Sequence, residues 1–472
     1  MNYKTVCGLE IHTELLTETK IFCSCKTDFG APPNTQCCEV CTGLPGTLPH
    51  VNKRVVEFAV RCGLALNCKI TRITKFDRKN YFYPDLPKAY QISQLYLPIC
   101  TDGYVEISGG KRIRIKELHM EEDAGKLFHD GKRTLIDYNR CGVPLLEIVT
   151  EPDINSADEA AEFARQLRDI LRFCGISDCK MQEGSLRADV NVSVMPEGAD
   201  KLGTRTEMKN INSFSAIQNA VNAEAKRQRE LLESGQSVAL ETRRWDDREN
   251  TSYPMRKKEE AQHYKYFPEP DIPPIEISDE LIESIKNTLP ELPSAKKARY
   301  TGELGLSEYD ADVICTDMAY IELFELTTSI TSSPKDSANW IMGELMHHLS
   351  VTGTLPEEMS FRKESLAEII NLLSDNRITR ETAKSVFEKV FFDNVIPEEY
   401  IKENDLFLQN NSKEIASAVR EVLEANPKAV GEYLDGKEKA IGFLIGQSMK
   451  KLGGKASPNE VTKTIKEMIK DN

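Results

Sequence analysis

Residues able to do chemistry crowd the amino-terminal part of this 472-residue chain. In VCGLEIHTEL, strand alternation turns Cys7, Leu9, Ile11 and Leu15 towards a core and Gly8, Glu10, His12 and Glu14 to the opposite face. Two carboxylates thus flank an imidazole at steps of about 7 Å, and hard oxygens of this kind suit a divalent cation such as magnesium. A solvated strand face would carry the same pattern. LHMEEDAGK adds Glu121, Glu122 and Asp123 between apolar residues and a glycine turn. VPLLEIVTEPD sets Glu147 inside an apolar run, where an unpaired carboxylate is expensive. Glu147 is therefore expected to be buried as a metal ligand, as the partner of a buried base, or in a structural salt bridge.

A second cluster is made of sulfur. FCSCKTDFGAPPNTQCCEVC carries five of the 13 cysteines: Cys23 and Cys25 as CxC, Cys38 and Cys41 as CxxC, with Cys37 spare. The odd total cannot pair completely, and turn-forming Gly30, Pro32, Pro33 and Asn34 can fold the two pairs together. Four thiolates suit a closed, structural zinc site; five small apolar core residues are the competing reading.

KFDRKNYFYPDLPKAYQIS interleaves Arg78, Lys79 and Lys88 with Tyr81, Phe82, Tyr83 and Tyr90. Cations among rings suit phosphate neutralisation and stacking on a base, although a packed loop with solvated lysines is the commoner outcome. TRTEMKNINSF is expected to put Arg205, Glu207 and Lys209 on one strand face ahead of a helix. GEYLDGKE has Gly431, Gly436 and Lys437 at phosphate-loop spacing, but Glu438 replaces the required Ser or Thr, and the motif is rejected.

The elements that must position these residues divide the chain. Up to about Pro293, period-two stretches alternate with helices. SLRADVNVSV alternates apolar Leu186, Ala188, Val190, Val192 and Val194 with polar partners, as a half-buried strand does. SADEAAEFARQLRDILRFCG opens with a capping pattern at Ser156 and Glu159 and stops at Gly175. The expected fold is α+β: an antiparallel-sheet cradle over 1–293 with a zinc-clipped loop, an all-α domain over 294–404, and a small helical tail over 405–472, the breaks falling at proline-rich and polar stretches. Net charge is −14, which argues against a general nucleic-acid coat, yet Lys437 to Asn472 holds eight lysines against four acidic residues, a local excess that could meet a phosphate backbone. The amino terminus lacks the apolar run of a signal peptide and no stretch reaches the ~18 apolar residues of a membrane span, so a cytoplasmic protein without membrane contact is expected.

GLEIHTEL, FDRKNYFYPDLPKAYQISQ, LHMEEDAGK, DYNRCGVPLLEIVTEPD, EGSLRADVNVSV, EMKNINSF and YKYFPEPD, in this order, resemble the B subunit of the tRNA-dependent amidotransferases, which form glutaminyl- or asparaginyl-tRNA from misacylated precursors. The resemblance spans essentially the whole chain, with Lys265 standing where arginine would be expected. It implies an atypical kinase cradle, a helical domain and a tail that grips tRNA. It implies that ATP and magnesium phosphorylate the side-chain carboxylate of Glu or Asp on tRNA, before ammonia from a partner amidase A subunit displaces phosphate; a small C subunit supports the pair, making a heterotrimer. On this footing Glu10, His12, Lys79, Lys88, Glu122 and Glu147 are the catalytic candidates. Glu10, His12, Glu121, Glu122 and Glu147 would hold magnesium; Arg78, Tyr81, Tyr83, Arg205, Glu207 and Lys209 would contact ATP or substrate. Cys23, Cys25, Cys38 and Cys41 would hold structural zinc, which some relatives lack. The rival from another class is a zinc-clipped RNA-binding scaffold without catalysis.

Overall fold

The computed structural model describes residues 2–257, 264–408, 412–434, 437, 439–453 and 456–470. They fall into two units, Met1–Pro293 and Ser294–Asn472.

The first strand, β1 (Tyr3–Glu14), is the middle member of a nine-stranded sheet. In chain order the others are β2 (Lys69–Ile70), β3 (Cys100–Ile107), β4 (Lys111–Glu122), β5 (Pro144–Thr150), β6 (Leu186–Pro196), β7 (Thr206–Ile211), β8 (Glu241–Asp246) and β9 (Thr251–Lys257). The spatial order is β9-β8-β7-β6-β1-β5-β4-β3-β2. All neighbours run antiparallel except β7 and β8, which are parallel and joined through helix α3 (Phe214–Glu233). The expected antiparallel sheet thus contains one βαβ crossover, because a parallel pair needs a connection long enough to return to the same edge.

Helices α1 (Lys53–Ala65), α2 (Ala157–Phe173) and α3 pack on the sheet. The Ser156 side chain accepts from the Glu159 N–H, as its sequence pattern requires, and Gly175 takes a φ of 63° just beyond the end of α2. The core joins Leu9 and Ile11 of β1, Leu146 and Ile148 of β5 and Val190 and Val192 of β6 to Leu167 and Ile217 of the helices. Each such side chain contributes about 1.5–3 kcal/mol by leaving water. Alternation then sends Glu10, His12 and Glu147 to the sheet's other face. Glu147 is not buried inside an apolar strand as expected: its side chain keeps 15% exposure, because only the alternate residues Leu146 and Ile148 join the core.

The second unit is helical. Its helices include Glu364–Ser374 and Arg380–Asp393, in the stretch whose pattern predicts two short amphipathic ones. Ile415, Val419, Leu444, Val461 and Ile465 form a core of their own. Gln409 to Asn411 at the expected break, Gly436 and Glu438 of the rejected motif, and Lys455 of the basic tail lie outside the described residues.

Candidate active site and cysteine clip

Strand register assembles the acidic cluster. His12 of β1 lies opposite Glu147 of β5, and Glu10 opposite Asp189 of β6. His12 Nε2 is 3.9 Å from a Glu10 oxygen, 3.8 Å from Glu147 and 3.4 Å from Glu121 of β4. One ligand atom each of Glu10, His12 and Glu147 lies within 4.8 Å of the others, so this oxygen-rich set could hold a hard divalent cation. Ser93 donates to Glu121 at 3.1 Å.

The charges are closely balanced. Burial, then the Glu147 charge, raises Glu121 to about 8; burial, then the Glu10 charge, raises Glu147 to about 7. Glu10 is also raised by burial, while burial and the Arg187 charge hold His12 well below the ordinary imidazole value. His12 is therefore a neutral imidazole with a lone pair to offer. Burial opposes the charge on Lys79, but Glu121 and Tyr266 raise it above the ordinary lysine value. Lys209 is likewise raised against burial, by Asp189 and Glu207; it is ion-paired to Asp189 and lies 3.0 Å from Glu207. Glu10, Glu147, Lys79, Lys209, Tyr264 and Tyr266 are among the residues lining an open cleft of about 480 Å³.

Several candidates from the sequence lie elsewhere. Glu122 points away from the cluster: its carboxylate takes the Lys88 ammonium and the Ile92 N–H, so Glu121 takes the place next to His12. Lys88 is correspondingly committed to Glu122 and shielded from water. Arg78 forks onto Glu269 at 2.6 and 2.9 Å and reaches Asp271 at 2.9 Å, so its charge is neutralised internally rather than offered to phosphate. Arg205 is exposed and precedes β7 instead of sharing a face with Glu207 and Lys209. Tyr83 is exposed on its loop, whereas Tyr81 stacks edge-on against Tyr264 with Lys79 5.1 Å from the Tyr264 ring. Asp189, Tyr264 and Tyr266 were missed as site residues. Asp189 was visible as a polar member of SLRADVNVSV, but only pairing with β1 brings it to Glu10.

The cysteines behave as a set. Cys23, Cys25, Cys38 and Cys41 bring their sulfurs within 4.8 Å of one another, compatible with the roughly 3.8 Å sulfur separation of tetrahedral zinc thiolates. A short antiparallel bridge between Thr19 and Lys26 shapes the first arm, and the Cys38 N–H donates to Cys41 Sγ at 3.1 Å. A hydrogen bond from Cys23 and the nearby Lys20 charge, against burial, lower Cys41 to about 5, so the set contains a ready thiolate. The residues fit zinc. The loop also seats on the Lys88–Glu122 pair: at Gly43, φ is 71° and an added Cβ would overlap the Lys88 side chain and come within 3.3 Å of its Cα.

Two family models match the chain, the GatB/GatE catalytic domain over residues 5–283 and the GatB domain over 322–469. The B subunit of the aspartyl/glutamyl-tRNA(Asn/Gln) amidotransferase of Lachnoclostridium phytofermentans is 52% identical over 472 residues, covering 99% of each chain. The chain belongs to this amidotransferase B-subunit family. Proteins of the same description from Caldicellulosiruptor saccharolyticus and Caldanaerobacter subterraneus are also 52% identical, over 477 and 473 residues. The catalytic-domain match contains both the acidic cleft and the cysteine clip. Among the described residues, no helix of this family member is long and apolar enough to cross a membrane.

Proposed function

We propose that the chain activates the side-chain carboxylate of Glu or Asp esterified to tRNA(Gln) or tRNA(Asn) by phosphorylation from ATP, for transamidation by ammonia. The observation carrying this reading is one open sheet face on which Glu10, Glu121, Glu147 and His12 meet Lys79 and Lys209. A carboxylate oxygen of the substrate attacks the terminal phosphorus of ATP, and ADP leaves. Ammonia then attacks the acyl carbon; inorganic phosphate leaves and a proton is released. The first step brings two anions together, so catalysis is mainly positioning and charge neutralisation. Glu10, His12 and Glu147, with Glu121 beside them, would hold magnesium, which supplies neutralisation of the phosphate charge when bound. Lys79 and Lys209 face the same space with their protons retained, while Tyr81, Tyr264 and Tyr266 offer rings to the adenine.

Ammonia would come from an amidase partner in a complex with a small third subunit, since the cleft offers no cysteine or serine nucleophile beyond Ser93, which is held by Glu121. The cysteine clip would be structural, and the lysines of the carboxy-terminal helices would meet the tRNA backbone. The family names and full-length identity support this assignment.

The test is ATP-dependent amidation of Glu-tRNA and Asp-tRNA by the purified complex, with glutamine or free ammonia. Glu147→Gln should lower the rate at least about a hundredfold with the fold unchanged by circular dichroism. Tight tRNA binding without ATP turnover in the unaltered protein would replace the kinase by a scaffold.

A further inference from the structure

Lys20 is a charged residue with no exposed surface. Its ammonium has three donors and meets three acceptors: the Gln36 carbonyl at 2.6 Å, the Tyr138 carbonyl at 3.5 Å and Cys41 Sγ at 3.6 Å. No carboxylate forms an ion pair with it among the described residues. A buried ammonium held by neutral carbonyls alone would be strongly disfavoured, so its compensating charge has to lie on the sulfur side. The backbone fixes this placement, since the Lys20 N–H donates to the Cys25 carbonyl at 2.9 Å, inside the first cysteine arm. Gly142 closes the other side: a Cβ there would come within 3.5 Å of Lys20 Cδ and 3.4 Å of Cys41 Cβ.

Zinc with four thiolates carries a net charge of −2, in a pocket walled by Phe22, Val40 and other groups. Only outer groups can balance that charge, and such groups commonly change metal affinity 10- to 100-fold. We propose that Lys20 is the built-in counter-cation of the cysteine site, neutralising half of the excess negative charge and so setting how tightly zinc is held. This rests on the reading of the four cysteines as a zinc site. Lys20 is a positioning residue: it binds the thiolate side of the clip and touches no substrate.

The experiment measures zinc affinity of the full-length chain by competition with a chromophoric chelator, and checks the ligand set by the thiolate charge-transfer bands of the cobalt(II)-substituted protein. Lys20→Met keeps the length and removes the charge; it should weaken zinc at least about tenfold while the cobalt bands persist at saturating metal. Cys25→His replaces one thiolate by a neutral ligand and lowers the net charge to −1. In that background Lys20→Met should weaken zinc by a markedly smaller factor, a coupling that loss of packing would not produce. If Lys20→Met folds only with metal present, the free zinc concentration at half-folding serves as the readout, and it should rise by the same factor. Affinity within twofold of the unaltered chain, or an equal loss in both backgrounds, overturns the Lys20 role alone. Absence of zinc uptake by the unaltered chain overturns the site and the role together.

Discussion

Glu121 and Glu122 are neighbours in the sequence and do opposite things. Alternation along β4 sends Glu121 to His12 and Glu122 to Lys88, and the energetics of the two differ accordingly. Glu122 and Lys88 form a buried pair, so Glu122→Gln leaves an uncompensated ammonium and should destabilise the amino-terminal unit by about 3 kcal/mol, read by urea denaturation. Glu147→Gln should leave stability unchanged or raise it, because it relieves repulsion among buried carboxylates; a loss comparable to that of Glu122→Gln would contradict the assignment. The same repulsion sets a pH dependence. Glu121 and Glu147 rise from an ordinary 4.5 to about 8 and about 7, so between pH 4.5 and 8 the folded state holds protons that the unfolded chain has released. Stability therefore falls as pH rises through that window. Melting temperatures in magnesium-free buffer should decline from about pH 5 to 8, less steeply in Glu147→Gln; a profile unaffected by that substitution would refute the mechanism.

At the scale of elements, the central β1 joins the site together. Its pairing with β5 and β6 fixes His12 against Glu147 and Glu10 against Asp189, and a one-residue slip would send all of them into the helical core. The clip serves a neighbouring role, laying the Gly43 backbone on Lys88. Gly43→Ala meets both a left-handed φ of 71° and the Lys88 side chain. It should destabilise the amino-terminal unit by about 1–3 kcal/mol and increase exchange of the Ile92 amide, which is bound by Glu122. Unchanged exchange at Ile92 would separate the clip from the ion pair. These contacts were not legible in the sequence. Glycine between Thr42 and Leu44 signals a turn, but nothing local says that Lys88 fills the space a side chain would need.

For the whole molecule, the division at Pro293 gives two units with their own interiors. A fragment spanning 294–472 should therefore fold without the sheet and show a cooperative thermal transition by circular dichroism. It should also bind tRNA with an affinity that falls steeply with salt, since the proposed contact is lysine to phosphate. A fragment that stays unfolded would show that its core depends on the first unit.

By itself the sequence determined the alternation of β1, the capped ends of α2, the grouping of four cysteines and the change from mixed strands and helices to helices alone. Each is a local property, set by side-chain period, cap chemistry or spacing within a few residues. Tertiary structure decided what depends on register between distant segments. It placed Glu121 rather than Glu122 beside His12, exposed Glu147 to the cleft, and neutralised Arg78 through Glu269 from a segment far along the chain. It also enclosed Lys20 against Cys41. Charge pairing acts through space, so a lysine or glutamate carries the same local pattern whether its partner is water, a phosphate or another buried charge; only the packed chain settles which.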